Sequence, residues 1–433
     1  MKKVLIITYY WPPSAGVGVQ RWMKFVKYLP SFGWEPIIFT PENPDFNIKD
    51  NSLHKNVSPD LEIIKFPIWE PFKIFNALSG GKNQENIKQG LVLEKKEPSF
   101  KDKLSIWIRG NILIPDSRVF WINPSVKFLT QYVKEREIQY IITTGPPHSM
   151  HLIGRGLKKK TGATWIADFR DPWSNWDLLD KLNTTGLSRF FHKNLEKKVL
   201  KNADKIITVS KNLAKDLEKI GGKKVNVITN GVDSEDFVKN LQQKLNSDKF
   251  RISYFGLLNE MRDPENLWEA LKFLINKRKD FSDHLEINLA GIVSESILSK
   301  LQNDPLLGNK IKYHAYLTHE QVFKECEKSA VLLLLLNKTD NAKWIIPGKL
   351  FEYLAMGNPI IMLGPEESDA ASLLKNYNAG DIADFNNKNK IIEILENKFD
   401  EYLKGELVIL NHDLEPFSRK NLTGELADLL DNL

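Results

Sequence analysis

Cysteine is nearly absent from this sequence of 433 residues, since Cys326 is the only one. No disulfide can form within the chain and no thiolate cluster can hold a metal, so we expect a cytosolic protein. Long apolar runs are missing as well. The longest covers residues 330–336, far short of the roughly 20 residues of a membrane-spanning helix. The apolar stretch after Met1 is too short for a signal peptide.

Three motifs with a defined chemistry are also missing. The sequence has no clear Asp-x-Asp metal signature, so we expect no metal ion. Gly16 and Gly18 do not complete the glycine fingerprint of dinucleotide-binding proteins. No nucleic-acid-binding module is recognisable, so we expect no nucleic-acid partner.

Acidic residues are scarce in the first half of the chain. Residues 1–240 contain 38 Lys and Arg against 25 Asp and Glu, whereas the rest contains 23 against 30. The basic half suggests an anionic partner, such as a membrane surface or a lipid phosphate. Alternatively, the basic residues form a solvent-exposed face that binds no partner.

Short apolar runs alternate with amphipathic stretches, which indicates parallel sheets covered by helices on both faces. The pattern restarts after a polar stretch at residues 234–249. We therefore predict an α/β protein of two doubly wound Rossmann-like domains with a cleft between them, at residues 1–236 and 245–414. An insertion at residues 68–121 either lines a substrate site or is a surface excursion. Strands are predicted at 4–9, 36–40, 63–66, 140–144, 164–169, 205–209, 225–229, 251–255, 285–290, 311–316, 331–336, 360–363 and 381–385.

Ligands of such sheets bind beyond the carboxyl ends of the strands. After the first strand, Gly16 and Gly18 would let the backbone approach a phosphate or sugar closely, although an ordinary strand-to-helix turn also explains them. His148 follows the fourth strand and is either catalytic or a turn residue. Arg170 and Asp171 follow the fifth. Because burying an unpaired charge is costly, they face the cleft or pair with each other.

The second domain contains a stretch that suggests a phosphate site. A helix opens at Gly348, and Lys349 stands on its first turn beside free backbone N–H groups and the positive helix end. Glu352 lies one turn later on the same face, where its carboxylate could accept two sugar hydroxyls. Gly256 permits close backbone approach, and Arg262 could grip phosphate bidentately. The pattern suggests a nucleotide-sugar site. The alternative is a capped helix with surface charges.

Taken together, these residues resemble a known family, the retaining nucleotide-sugar glycosyltransferases of family four (group 1), which have two Rossmann-like domains in the GT-B arrangement. The resemblance covers nearly the full length, and the order and spacing of its motifs are fairly specific. They are the first glycine loop, Ala203-Asp-Lys-Ile-Ile-Thr-Val-Ser210, Ile228-Thr-Asn-Gly-Val-Asp233, Tyr254-Phe-Gly256 with a basic residue six places later, and Gly348-Lys-Leu-Phe-Glu-Tyr-Leu-Ala-Met-Gly357.

The resemblance implies a donor site in the second domain and an acceptor site in the first, to which residues 417–433 would return. Glu352 would hold the ribose, while Arg262 and Lys349 would hold the diphosphate. The catalytic candidates are Asp171, Arg170 and His148. The donor-binding candidates are Gly16, Gly18, Gly256, Arg262, Gly348, Lys349 and Glu352.

The sequence departs from the family pattern at three places. The second glutamate of the family, eight residues before the ribose-binding one, is Trp344 here, so that carboxylate is not available to recognise the donor sugar. A frequent arginine is Leu257, and the usual cleft histidine is replaced by Arg170 or Asp171. A branch that acts on bacterial surface polysaccharides is similar in its Arg-Asp-Pro-Trp and Pro-Gly-Lys sequences.

The expected function is metal-independent transfer of a sugar, with retention, from a UDP- or GDP-sugar to a glycan or lipid-linked acceptor in cell-surface polysaccharide synthesis. No cofactor is expected, because the nucleotide sugar is a substrate. The alternatives are a sugar-nucleotide epimerase or hydrolase of the same fold and a catalytically silent glycan-binding relative. The expected location is the cytoplasm. Peripheral attachment to the inner face of the cell membrane is an additional hypothesis.

Overall fold

The computed structural model describes residues 1–14, 16–44, 46, 49–71, 100–233, 243–244, 247–315 and 317–433. The chain divides into two compact units, one formed by Met1–Asp233 with Phe417–Leu433 and the other by Ser234–Pro416. The predicted domain limits at residues 236 and 245 lie outside the described residues. So do most of the polar stretch 234–249 and residues 72–99 of the insertion.

The strands of the first unit precede those of the second along the chain. They are β1 (Lys2–Ile7), β2 (Trp34–Pro41), β3 (Glu62–Phe66), β4 (Tyr140–Gly145), β5 (Thr164–Phe169), β6 (Lys205–Thr208), β7 (Asn226–Val227), β8 (Gln243–Lys244), β9 (Phe250–Phe255), β10 (Leu285–Ala290), β11 (Ile311–His314), β12 (Val331–Leu335), β13 (Ile360–Leu363), β14 (Gly380–Ala383) and β15 (Val408–Ile409).

Helices connect most of these strands. They are α1 (Val17–Tyr28), α2 (Phe100–Asn111), α3 (Val119–Glu135), α4 (Ser149–Thr161), α5 (Asp177–Lys181), α6 (Gly186–Asn202), α7 (Lys211–Gly221), α8 (Glu265–Lys277), α9 (Lys279–His284), α10 (Glu295–Gln302), α11 (His319–Glu327), α12 (Gly348–Met356), α13 (Asp369–Asn376), α14 (Lys388–Leu403) and α15 (Arg419–Asp431). Short 3₁₀ turns lie at Leu29–Phe32, Asn51–Asn56, Gly308–Lys310, Asp340–Trp344 and Glu415–Phe417.

Each unit is built on a parallel sheet. In the described part of the first unit the strand order is β3-β2-β1-β4-β5-β6-β7, and in that of the second it is β11-β10-β9-β12-β13-β14. Leu5 of β1, for example, pairs in parallel register with Ile37 on one side and Ile141 on the other. The predicted pair of doubly wound Rossmann-like domains is therefore confirmed.

Burial explains why the strands could be predicted from apolar runs. Helices cover both faces of a parallel sheet, so a central strand such as β12 is buried at every residue. The observed ends differ from the predicted ones by a few residues. Residues 8 and 9, for instance, are buried but lie beyond β1. The apolar runs missed β8 and β15, a two-residue antiparallel pair in the second unit.

The C-terminal helix α15 belongs to the first unit. Its residues Leu422 and Leu426 share one apolar core with Trp22 and Phe25 of α1. The chain reaches this position through backbone hydrogen bonds around Val232, whose N–H donates to the carbonyl of Phe417 at 3.0 Å. Among the described residues, no helix is long and apolar enough to cross a membrane.

The order of strands reverses next to the first strand of each sheet, between β1 and β4 and between β9 and β12. The connections that leave these neighbouring strands run to opposite faces of the sheet, which opens a crevice at their carboxyl ends. The loops that follow these four strands are therefore the places to look for a site.

Candidate active site

Gly256 and Lys349 meet at the carboxyl end of β9. Gly256 has φ +130°, and a Cβ on it would lie 2.7 Å from the Lys349 Nζ. The ammonium donates a hydrogen bond to the carbonyl of Phe255 at 2.6 Å and lies 4.3 Å from the centre of the Tyr254 ring. Burial lowers the pKa of Lys349, and the charge of Arg262 acts in the same direction. The glycine thus leaves room for a partly desolvated cation.

Arg262 is held at the same edge of the sheet by a residue that the sequence did not single out. Its Nε donates to Oδ1 of Asn337 at 2.7 Å, and its backbone N–H closes a turn onto the carbonyl of Asn259 at 2.8 Å. Asn337 follows β12, the strand next to β9. Nothing in the sequence around Asn337 marks it, because its partner lies 75 residues away.

Helix α12 begins at Gly348, as the sequence predicts, and ends at Met356, where Gly357 caps it in the left-handed conformation with φ +77°. The N–H of Leu350 in its first turn donates to the carbonyl of Pro347 at 3.0 Å, and this turn lies at the positive end of the helix. Glu352 is half-buried one turn after Lys349, and its charge opposes the lowering of the lysine pKa. The structure therefore brings Gly256, Arg262, Lys349 and this carboxylate into one neighbourhood.

In the first unit, Gly16 and Gly18 have different structural roles. Gly16 has φ +119°, and its carbonyl accepts the N–H groups of Val19 and Gln20 that start α1. A Cβ on Gly18 would lie only 1.5 Å from a terminal guanidinium nitrogen of Arg170. Gly18 is therefore explained by the approach of Arg170, while phosphate binding at these glycines stays a prediction.

Arg170 and Asp171 are not joined by a hydrogen bond or an ion pair, so the second of the two alternatives, a pair between them, is not found. Arg170 instead donates to the carbonyl of Pro146 at 2.5 Å. Within the described ranges, the half-buried carboxylate of Asp171 has no hydrogen-bond partner. Burial raises its pKa, and the charge of Arg170 opposes this effect. The carboxylate is thus left available for a ligand, and the catalytic role of Asp171 stays a prediction.

His148 is a packed side chain. It is 3% exposed, and its ring stacks on that of Trp173 at 4.8 Å with an interplanar angle of 2°. Neither ring nitrogen has a hydrogen-bond partner in the part of the chain that the structure describes. Burial lowers the pKa of His148 well below its usual value, so the ring is neutral at pH 7. This position favours the turn interpretation, and a catalytic role stays a prediction.

Two side chains of α6 fix the loop that carries Asp171, and the sequence did not identify either of them. The indole of Trp173 donates to Nδ1 of His192 at 3.0 Å. The backbone N–H of Ser174 donates to Oε2 of Glu196 at 3.2 Å, and the Ser174 hydroxyl donates to the same oxygen. Burial raises the pKa of Glu196 to about 7. His192 and Glu196 lie four residues apart on a strongly basic helix, and this spacing is the sequence feature that could have identified them.

A buried charge network lies beneath this loop. Asp168, the penultimate residue of β5, accepts hydrogen bonds from Arg21 at 3.2 Å, from the indole of Trp22 at 2.8 Å and from Thr144 at 2.9 Å. Arg21 also donates to the carbonyl of Thr229 at 2.7 Å. The network ties α1 to the ends of β4 and β5, and so fixes the loops that carry Gly18 and Asp171.

The sequence model described as Glycosyltransferase Family 4 matches residues 94–236 of this chain. The matched segment contains His148, Arg170 and Asp171. Over this segment the chain is similar to glycosyltransferase family 4, and the match supports the predicted class of nucleotide-sugar glycosyltransferase.

Solved structures share the fold of this chain over its whole length. Sucrose-phosphate synthase from Thermosynechococcus elongatus has 12% identity and a TM-score of 0.63, with 100% of this chain and 99% of that chain covered. Anabaena Alr3699/HepE in complex with UDP and glucose has 12% identity, a TM-score of 0.62 and full coverage of both chains. The lipopolysaccharide outer core galactosyltransferase WaaB also has 12% identity and full coverage, with a TM-score of 0.58.

These likenesses confirm the GT-B fold, and at such identities they show the fold alone. No curated protein sequence matches this chain. Among its described residues, no group of three or more His, Cys, Asp or Glu side chains could hold a metal ion.

Proposed function

We propose that this glycosyltransferase moves a sugar from a UDP- or GDP-sugar to a glycan or lipid-linked acceptor in the synthesis of bacterial cell-surface polysaccharide. One observation carries the donor assignment. Gly256, Arg262 and Lys349 meet at the carboxyl end of β9, with Glu352 one turn from the lysine. Two cations, a helix start and a carboxylate are the groups that a nucleoside diphosphate sugar requires.

The diphosphate would displace the carbonyl of Phe255 as the partner of Lys349. The ammonium already lies at the end of β9 and is partly desolvated, so an anion there gains a strong interaction with it. Asn337 holds the Nε of Arg262, and one terminal nitrogen donates a long hydrogen bond of 3.4 Å to the carbonyl of Leu257, which a phosphate oxygen would replace. As the glycosidic bond breaks, negative charge accumulates on the leaving diphosphate, and these groups stabilise it.

On the acceptor side, the carboxylate of Asp171 is assigned to orient the incoming hydroxyl or to stabilise the positive charge that develops on the sugar. Its support is geometric, because His192 and Glu196 fix the loop while the carboxylate keeps its lone pairs available. In a retaining transfer with attack on the face of departure, a leaving-group oxygen takes the acceptor proton. Asp171 then need not act as a base.

Two observations support the class of acceptor. The Arg-Asp-Pro-Trp sequence resembles that of enzymes acting on surface polysaccharides, and one structure of the same fold is described as a lipopolysaccharide outer core galactosyltransferase. An epimerase or hydrolase would release nucleotide without an acceptor. A silent relative would bind no nucleotide sugar. The family 4 match favours transfer over both.

Isothermal titration calorimetry with UDP, GDP and their sugar conjugates tests the donor site. Glu352→Gln should weaken donor binding by roughly 1–3 kcal/mol, the scale of a lost charge-assisted hydrogen bond. The matched control is Glu367→Gln, which changes an exposed glutamate of the same unit. Equal affinity in the two variants would remove the ribose assignment. If no nucleotide binds the wild type, the donor proposal as a whole is wrong.

A further inference from the structure

Helix α6 presents large apolar side chains to solvent at its N-terminal end. Ser188, His192 and Glu196 lie on its buried face. Leu187 and Phe190, on the opposite face, are 67% and 61% exposed, and the neighbouring Phe191 is exposed as well. Side chains of this size on the outer face of a helix leave apolar area in water without any benefit to the core.

The end of α2 adds to the same surface. The backbone N–H of Thr185 donates to Oδ1 of Asn111 at 2.7 Å, and the Ser188 hydroxyl donates to the carbonyl of Gly110 at 2.5 Å. A Cβ on Gly110 would lie 2.3 Å from the carbonyl oxygen of Leu182, so the junction is tight. Large exposed residues flank this junction on both helices. We call this set the apolar ridge: Leu104, Trp107, Ile112, Leu187, Phe190 and Phe191.

Beyond the ridge, the exposed positions of α6 are basic. Lys193, Lys197, Lys198 and Lys201 are all exposed, whereas Glu196, the acidic residue of this helix, is buried. The helix therefore offers aromatic side chains at one end and positive charge at the other, on the side away from the core. The core of a protein–protein interface is depleted in lysine. Aromatic side chains bordered by lysines are instead typical of helices that lie at the surface of an anionic bilayer.

We propose that the apolar ridge and the lysines of α6 dock the first unit onto an anionic lipid bilayer. Phe190, Phe191 and Trp107 enter the headgroup region, and the lysines contact lipid phosphates. The proposal identifies the surface through which the protein would reach a lipid-linked acceptor. In assuming such an acceptor, it rests on the proposed function. Its test uses vesicles without donor or acceptor, so that docking and sugar transfer can fail separately.

The test is co-sedimentation of the full chain with phosphatidylcholine vesicles that contain or lack about one third phosphatidylglycerol, at low salt. The wild type should pellet with the anionic vesicles. The double variant Phe190→Ser, Phe191→Ser should bind at least tenfold less. Lys197→Gln with Lys198→Gln should lose about fivefold for each lysine removed. The matched control is Phe273→Ser, an exposed phenylalanine of the second unit, which should bind as the wild type does.

Three results would overturn the proposal. The first is equal binding of the wild type to neutral and anionic vesicles, and the second is unchanged binding of the phenylalanine double variant. The third is a dimer in analytical ultracentrifugation that this double variant dissociates, because the ridge would then be covered by a second copy of the chain. Far-ultraviolet circular dichroism of each variant verifies that its fold is intact.

Discussion

The surroundings of Glu196 predict both the sign and the size of its effect on the pH dependence of stability. Its carboxylate is fully buried behind the loop of Asp171, where Oε2 accepts hydrogen bonds from Ser174 and Oε1 has no partner among the described residues. Burial raises the pKa of Glu196 from 4.5 to about 7, and the charge of Asp216 adds to the effect. The folded protein therefore holds this proton more tightly than the unfolded chain does.

The consequence for stability follows from linkage. Below pH 4.5 the carboxyl is protonated in both states and costs nothing. Between pH 4.5 and 7 the unfolded chain loses its proton first, so stability falls as pH rises, by about 1.4 kcal/mol per pH unit and by about 3 kcal/mol in all. Above pH 7 both states are ionised and the loss is complete. Glu196→Gln stays neutral and keeps an acceptor for Ser174, so it should escape this loss.

The assay is denaturation of wild type and Glu196→Gln from pH 4.5 to 8, followed by circular dichroism and tryptophan fluorescence. The variant should match the wild type near pH 4.5. At pH 8 it should be more stable by about 3 kcal/mol, or roughly 6–12 °C in the melting temperature of the first unit. Buried His148, His151 and His192 have lowered pKa values, and their contribution is lost as pH falls below 6.5. Both proteins contain these histidines, so the difference between their stability curves gives the contribution of Glu196 alone.

The control is Glu42→Gln, which changes an exposed glutamate of the same unit and should leave the pH dependence of stability unaltered. Parallel curves for wild type and Glu196→Gln would refute the raised pKa. If the variant is instead less stable at every pH, Glu196 is ionised in the folded protein and its charge is what holds Ser174.

Three further substitutions test the loops of the first unit. Gly18→Ala would place a methyl group against Arg170, so steady-state assays should show at least a tenfold loss of transfer. Equal activity would mean that Arg170 can move without effect. Asp171→Asn should lower kcat with little change in the KM for donor, and an unchanged kcat would exclude the proposed role. Asp168→Asn should cost about 3–5 kcal/mol in urea denaturation, because Arg21 is left as a buried, unpaired charge. A cost below about 1 kcal/mol would contradict this.

The fold could be predicted largely from the sequence because its signals are local. Strands such as β5, β10 and β13 were predicted with their observed bounds, because both faces of each strand are covered and all of their residues except Thr164 are buried. The short pair β8 and β15 was missed because two residues are too few to show a pattern. The helix that carries Lys349 was likewise predictable, because a proline, a glycine and the helical repeat mark its start and its exposed face.

The sequence by itself determined the two parallel α/β units and the positions of the loops that follow the strands. It also determined that Lys349 and Glu352, a cation and a carboxylate, lie one helical turn apart. Only the tertiary structure decided which polar groups meet. Arg262 is held by Asn337, Gly18 makes room for Arg170, and the loop of Asp171 is fixed by α6. Periodicity fixes which face of an element is buried, whereas the partner of a buried polar group depends on how distant elements pack.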